Sequence, residues 1–215
     1  MLHLVSKNLA NLETKKKELE NNYSINCKIS NLDIENEEEV DLFLKNENHK
    51  VSIIMMAVGY LEKEEKNFDK IINLNHKSLV SFLEKSIIKY SDNENFKTII
   101  GISSVAADRG KKRNNIYSSS KAGFANYLSG LRQRLYEKKI NVMIIKPGYV
   151  RTKMTSELDL PKFLVSTPEK IGKIIFNSFK RKKKEVYAPG YWRYIMLIYR
   201  NLPEFIFKIF LSLKR

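Results

Sequence analysis

Cysteine is almost absent: Cys27 stands alone among 215 residues. That excludes an internal disulfide framework and fits a reducing compartment. Histidine is scarce as well. His3, His49 and His76 lie far apart in the sequence with no metal-ligand spacing, so no structural metal is expected. No uninterrupted apolar run reaches the ~20 residues that cross a bilayer. The opening MLHLVSK has neither the apolar core nor the cleavage site of a signal peptide. A cytoplasmic protein is therefore expected. Paired Cys/His fingers and aromatic–basic strand patterns are missing, so nucleic acid is not an expected partner. Residues 1–58 contain no glycine at all.

What is present is the composition of a globular chain long enough for one domain with a sizeable core. The formal charge of +15 is unevenly spread: residues 1–100 carry −3 and residues 101–215 carry +18. A basic half suits an anionic partner. Abundant Lys, Asn and Ile also suit a compositional bias of the genome. Both readings stand at this point.

Short apolar runs alternate with helical patterns. Strands are expected at 2–6, 24–33, 51–59, 97–104 and 140–148, with a last short one in EVYAPG. Helices are expected at 8–22, at 36–46, over about 64–90 and over about 116–138. In the last of these, Phe124, Leu128, Leu131 and Leu135 form an apolar stripe. Thr167 and Pro168 are the N-cap and first position of a further helix. The alternation predicts an α/β fold, a doubly wound parallel sheet with helices on both faces. In such sheets ligands bind at the carboxyl ends of the strands. Gly59, Ser104 and the Pro147–Gly148 pair should therefore rim one crevice.

Tyr117 and Lys121, in YSSSK, share one helix face. The pair carries little by itself. A Tyr-x-x-x-Lys pair is expected about 1.5 times by chance, and it occurs twice, the second being Tyr149 and Lys153. Only the first has company. Ser104 ends a strand 13 residues upstream of Tyr117, whereas the matching position for the second pair is Tyr136. Asn75 lies in IINLNHKSLV, Asp33 in NLDIENEEEV, and PGYVRT (147–152) follows the next strand. In this order the markers resemble the short-chain dehydrogenase/reductase family, over essentially the whole chain.

The chemistry explains the residue types. Reducing a carbonyl needs a proton on oxygen, and free tyrosine, with a pKa of about 10, is a sluggish acid near neutrality. A neighbouring ammonium stabilises the phenolate and brings that pKa nearer the working pH. A serine hydroxyl can hydrogen-bond the carbonyl oxygen as charge develops. The resemblance implies that Ser104, Tyr117, Lys121 and Asn75 are the catalytic set, with Asn75 holding a water in the proton path. It implies a Rossmann-like fold and a nicotinamide cofactor contacted by Ser6, Lys7, Asp33, Gly59, Tyr117, Lys121, Pro147, Gly148, Val150 and Thr152. Other readings stay open: Ser104, Asp33 and Thr152 as local caps, Asn75 as a polar helix residue, Lys7 as a helix cap. Ser6 and Lys7, with no acid at the end of LVSKN, favour NADPH over NADH.

Two departures stand out. The family opens with a strand and a Gly-rich turn that holds the pyrophosphate on backbone N–H groups. Neither is in this sequence, and Met1 falls where the family's second strand begins. A longer enzyme of which this is a part is one reading; a non-catalytic binding module that pairs with another chain is the other. The shared survival of Ser104, Tyr117, Lys121 and Asn75 favours the first. The second departure is MAVG (56–59), where the family has two asparagines before its glycine.

Residues 1–190 are read as the Rossmann-like unit and 191–215 as an amphipathic aromatic and basic tail. The tail, broken by Arg200, Asn201, Pro203, Glu204 and Lys208, suits a segment lying in the interface of a membrane, at its inner face. A pair of core or homo-oligomer helices is the alternative. Together with SSVAADRGKKRNNIYSSSKAG, the tail most resembles the reductases of polyprenyl-phosphate-linked keto-sugars. Small-molecule or lipid-linked carbonyl compounds are the expected substrates. Arg109, Lys111, Lys112 and Arg113 are candidates to meet a lipid phosphate.

Overall fold

The computed structural model describes residues 1–62, 64–112, 114–156 and 160–206. The chain begins β1 (Leu2–Ser6), α1 (Leu9–Tyr23), β2 (Cys27–Asn31), α2 (Glu37–Asn46) and β3 (Ile53–Met56). A helical stretch follows: α3 (Phe68–Ile72), a π-helical turn over Asn73–Lys77, and α4 (Ser78–Tyr90). Then come β4 (Thr98–Ile102), a short 3-10 turn over Val105–Asp108, α5 (Asn115–Arg134) and β5 (Asn141–Pro147). The rest is β6 (Tyr149–Val150), β7 (Val165–Ser166), α6 (Pro168–Lys180), β8 (Glu185–Ala188) and α7 (Trp192–Asn201).

The expected parallel sheet with helices on both faces is there, and period-2 alternation explains it. In β4 and β5, Ile99, Val142 and Ile144 point to one side, into a core built with Leu79 and Leu83 of α4 and Phe124 and Leu128 of α5. Their neighbours Ile100, Met143 and Ile145 point to the other side, onto Ile171 and Ile175 of α6. The stripe Phe124, Leu128, Leu131 and Leu135 is buried as expected. Replacing Phe124 by alanine would cost about 3–5 kcal/mol. The helix carrying it stops at Arg134, short of 138, and the chain continues in turns as far as Lys139 at φ 56°. At α6 the Thr167 hydroxyl accepts the Lys170 N–H at 3.3 Å, with Pro168 in the first helical position.

The strands form two main sheets rather than one. β3, β4, β5 and β8 make a four-stranded parallel sheet in that order, while β1 and β2 pair only with each other. Among the described residues no ladder joins β1 to β3. Both carry exposed apolar side chains: Leu2 and Val5 at 39% and 36%, Ile53 and Met55 at 44% and 47%. The small sheet is held to the large one through side chains: Leu32, Val40 and Leu44 pack into the same cluster as Leu79 and Leu83. β6 and β7 form a separate two-stranded ribbon beyond β5.

The expected helix over 64–90 begins only at Phe68 and is wound more widely at its middle. The π-helical turn at Asn73–Lys77 contains Asn75. Such turns insert one residue into a helix and frequently mark functional sites. At the other end of the chain, α7 lies against the body. Trp192 and Met196, one turn apart, pack with Val105. No helix among the described residues is long and apolar enough to cross a membrane.

Candidate active site

Parallel strands end at one edge, and the predicted residues collect there. β4 ends at Ile102 and delivers Ser103 and Ser104 with alternating directions. Ser103 is buried and donates to the backbone carbonyl of Lys121 at 2.9 Å, which ties α5 to the strand. Ser104 turns the other way. Its oxygen accepts the Ala106 N–H at 3.1 Å, and its hydroxyl lies close enough to the phenol of Tyr117 to act on its pKa. Ser104 is thus a local cap and a partner of Tyr117 at once. Burial pushes the Tyr117 phenol up from its ordinary value, and the Ser104 hydroxyl works against that rise.

Lys121 is one turn further along α5 and only 3% exposed. Its ammonium meets the backbone carbonyls of Val58 and Ile102, each at 3.3 Å. Burial lowers its pKa from 10.5 to about 8. An ammonium has three N–H donors, so two weak carbonyl contacts leave one for a bound molecule. Gly59 is placed for the same purpose. A side chain there would come within 3.2 Å of the Lys121 nitrogen and 3.4 Å of the Asn75 oxygen. Glycine keeps that approach open.

Asn75 is fully buried, and its side chain is occupied at both ends. Its oxygen accepts the Tyr60 N–H at 2.8 Å and its amide donates to the Tyr60 carbonyl at 2.7 Å. This clamp fixes the loop after Gly59. Asn75 itself lies within the widened π-helical turn.

The adenosine side of the expected cofactor site is arranged differently from the expectation. Lys7 sits 3.5 Å from Asp33 and 3.6 Å from Glu35, so its charge faces two carboxylates. It does not cap α1; Asn8 does, accepting the Asn11 N–H. Ser6 accepts the Asn8 N–H at 3.3 Å. Asp33 accepts the Glu35 N–H in a local turn, and the cap of α2 is Asn36. Thr152 caps the 3-10 turn that follows it. Pro147 ends β5, and Val150 is half-buried in β6. Gly148 is covered by Trp192: a Cβ there would fall 1.8 Å from the indole nitrogen.

The second Tyr-x-x-x-Lys pair is not part of this cluster. Tyr149 stacks edge-on against Trp192, with ring centres 5.2 Å apart, and the Lys153 side chain lies outside the described residues. In the basic loop, Arg113 lies outside them too. Arg109 has another task. It donates to the carbonyls of Tyr199 and Leu202 at 2.9 and 2.7 Å and pairs with Glu204 at 3.0 Å, closing the end of α7.

Three contributors were not visible in the sequence. Glu65 is buried at φ 50°, and its carboxylate accepts the N–H groups of Ile116 and Tyr117 at 3.1 and 2.7 Å. It caps α5 from a distant loop, while the side chain of Asn114, at the cap position, caps no backbone N–H. The left-handed backbone costs a non-glycine residue about 1–2 kcal/mol. Second, Asp108 accepts from both Lys146 and Tyr187 at 2.7 Å, and Lys146 also pairs with Glu185. This network ties the segment after Ser104 to β5 and β8. Third, Trp192 seals Gly148, its indole N–H buried without a partner. None of these contacts is local, so no short sequence pattern announces them.

A buried ammonium with an open donor, a glycine approach and a phenol beside a serine hydroxyl fit the nicotinamide-ribose end of a dinucleotide. For the pyrophosphate end, the residues before Gly59 supply no glycine turn.

The profile of the short chain dehydrogenases matches residues 1–162. An uncharacterised oxidoreductase of Streptomyces coelicolor is 33% identical over 111 residues, 52% of this chain and 43% of that protein. The ketoacyl reductase HetN of Nostoc is 35% identical over 92 residues, 41% of this chain and 32% of its own length. The chain thus spans less than half the length of these curated relatives in the matched region. Among solved structures, a short-chain dehydrogenase of Sphingobium yanoikuyae in complex with NADPH superposes with a TM-score of 0.77 at 18% identity, covering 87% of this chain and 78% of that one. The 3-oxoacyl-[acyl-carrier protein] reductase of Brucella melitensis in complex with NAD gives 0.74 at 22%, covering 88% and 85%. These likenesses carry the fold, and the profile match carries the kinship: the chain belongs to the short-chain dehydrogenase family.

Proposed function

We propose that this chain carries the proton-transfer half of an NAD(P)-dependent carbonyl reduction, run in either direction. The observation behind the reading is the Tyr117 phenol beside the Ser104 hydroxyl, one helical turn from the buried Lys121 ammonium that meets the Val58 and Ile102 carbonyls. A reduced nicotinamide, when bound, supplies the hydride to the carbonyl carbon. Tyr117 gives its proton to the carbonyl oxygen, leaving a phenolate. Ser104 donates to the same oxygen as negative charge grows on it. The Lys121 cation lowers the cost of the phenolate and offers its remaining N–H to a ribose hydroxyl. Asn75 keeps the loop after Gly59 in place through Tyr60.

For the cofactor, NADPH is the proposed choice, on the cation at Lys7. Asp33 and Glu35 qualify that choice, since they must yield Lys7 to a 2′-phosphate. For the substrate, a polyprenyl-phosphate-linked keto-sugar is proposed, on the loop likeness and on the apolar face of α7 close to the Ser104 segment.

The test is reduced-nicotinamide consumption by the chain in its full natural context. It is offered a lipid-linked 2-keto-pentose, a soluble ketone, NADPH and NADH in turn. Turnover of the lipid-linked ketose with NADPH supports the reading. Turnover of soluble ketones alone would overturn the substrate. No turnover and no dinucleotide binding would overturn the reaction class.

A further inference from the structure

We propose that α7 seats on an anionic lipid bilayer through the face it turns to solvent. The helix has two apolar faces. Trp192, Met196 and Tyr199, at i, i+4 and i+7, point inward and pack with Val105 and Tyr149. Tyr194, Leu197 and Ile198 point outward and are 69%, 53% and 65% exposed. Phe205, just past the helix, is 67% exposed. Arg193 and Arg200, seven residues apart, lie along one border of the outward stripe, both exposed. A surface helix ordinarily turns polar residues to water. An outward apolar stripe bordered by arginines is the pattern of a helix lying in the headgroup region.

Size and charge choose this occupant over a second copy of the chain. A ten-residue helix is about 15 Å long. Its stripe is far below the ~800 Å² per partner of a stable protein interface. A symmetric contact would also bring each copy's Arg193 and Arg200 against an equally basic surface, since residues 101–215 carry +18. An anionic bilayer offers the opposite sign and a depth that three side chains can use.

The placement has a consequence for geometry. Arg109 fixes the end of α7 through the Tyr199 and Leu202 carbonyls. The helix rests on Val105, next to Ser104. A seated α7 therefore brings the carboxyl edge of the sheet close to the bilayer. The inference does not depend on the substrate proposed above, because it is read without catalysis.

The experiment is co-sedimentation of the full chain with phosphatidylcholine vesicles, with and without phosphatidylglycerol, at low and high salt. Binding to the phosphatidylglycerol vesicles is expected, weakened by salt. The double variant Leu197→Glu/Ile198→Glu should lose at least tenfold in affinity, and Arg193→Gln/Arg200→Gln severalfold, with unchanged circular dichroism. Equal sedimentation of the glutamate variant and the unsubstituted chain would overturn the proposal. So would a chain that ignores both vesicles. A dimer in analytical ultracentrifugation that Leu197→Glu dissociates would instead make the stripe a contact between copies.

Discussion

The carboxylate of Glu65 accepts the backbone N–H of Tyr117 at 2.7 Å, across 52 positions of sequence. Its other oxygen takes the N–H of Ile116. The helix that presents the phenol is therefore capped by the loop after β3, and a residue at φ 50° is held there to do it. Glu65→Ala should expose both amides, which are otherwise unpartnered first-turn donors. The loss of a cap costs about 0.5–2 kcal/mol. Hydrogen exchange at Ile116 and Tyr117 should rise, and the proposed turnover should fall about tenfold, the factor that ~1.4 kcal/mol represents. Glu65→Gln keeps an acceptor oxygen and should recover most of both. Unchanged exchange in Glu65→Ala would remove the cap from the account of Tyr117.

Lys121→Met separates stability from chemistry. The folded pKa of about 8 lies below the ordinary 10.5, so the fold disfavours the ammonium. Between those values the unfolded chain binds more protons, and stability rises with pH. The methionine variant should lose that rise and melt no lower than the unsubstituted chain at pH 7. Its proposed turnover should drop by about 10²–10⁴, the range of a lost acid–base contribution. Melting curves across pH 7–10 together with rates check both halves.

Ser104→Ala removes the hydroxyl that opposes the burial-driven rise of the Tyr117 phenol. The alkaline limb of the rate profile should move to higher pH. The rate at neutral pH should fall about 10²-fold, as for loss of a single oxyanion donor. A profile that keeps its position while the rate falls would assign Ser104 to the substrate oxygen alone.

Lys146→Met should destabilise by about 3–5 kcal/mol, because it leaves Asp108 as a buried charge without its cation. The Lys146–Asp108 pair is at 2.7 Å, with side chains 12% and 3% exposed. Denaturant unfolding measures this. Replacing Asp108 by Asn in the same chain should restore part of the loss.

Glu47 sets an acid limit. Burial acts to raise its pKa, but hydrogen bonds from Lys28 and His49 prevail and hold it at about 2, below the ordinary 4.5. A depressed carboxyl contributes stability that is full above about pH 4.5 and is lost as pH falls toward 2. Glu47→Gln should flatten the acid side of a stability–pH curve over that window. His3 and His49, distant in sequence, both meet this carboxylate.

Much of the site was legible because its signals are local and repeat with element periods. β3, β4 and β5 end at Met56, Ile102 and Pro147 as the apolar runs stop, and parallel strands ending together put the following Gly59, Ser104 and Gly148 on one edge. The 3.6-residue period fixed the buried stripe of α5 and, with it, the side on which Tyr117 and Lys121 emerge. The reading weakened where a side chain's partner lies far along the chain. Lys7, an unopposed cation in LVSKN, faces Asp33 and Glu35 once β1 and β2 pair. Arg109, a loop cation in the sequence, closes a helix some 90 residues later. Trp192 reads as a membrane-anchoring aromatic, and in the fold it seals Gly148.

The sequence by itself determined the α/β alternation, the family and the order of the chemical groups, because apolar period and residue type are carried by neighbours. Only the tertiary structure decided three things. It sets the Ser104 hydroxyl beside the Tyr117 phenol. It uses Asn75 to clamp Tyr60. It turns α7 so that Trp192 faces inward and Leu197 faces out. Each is a choice among partners that are not sequence neighbours, made by close packing and by the need of buried polar groups for partners.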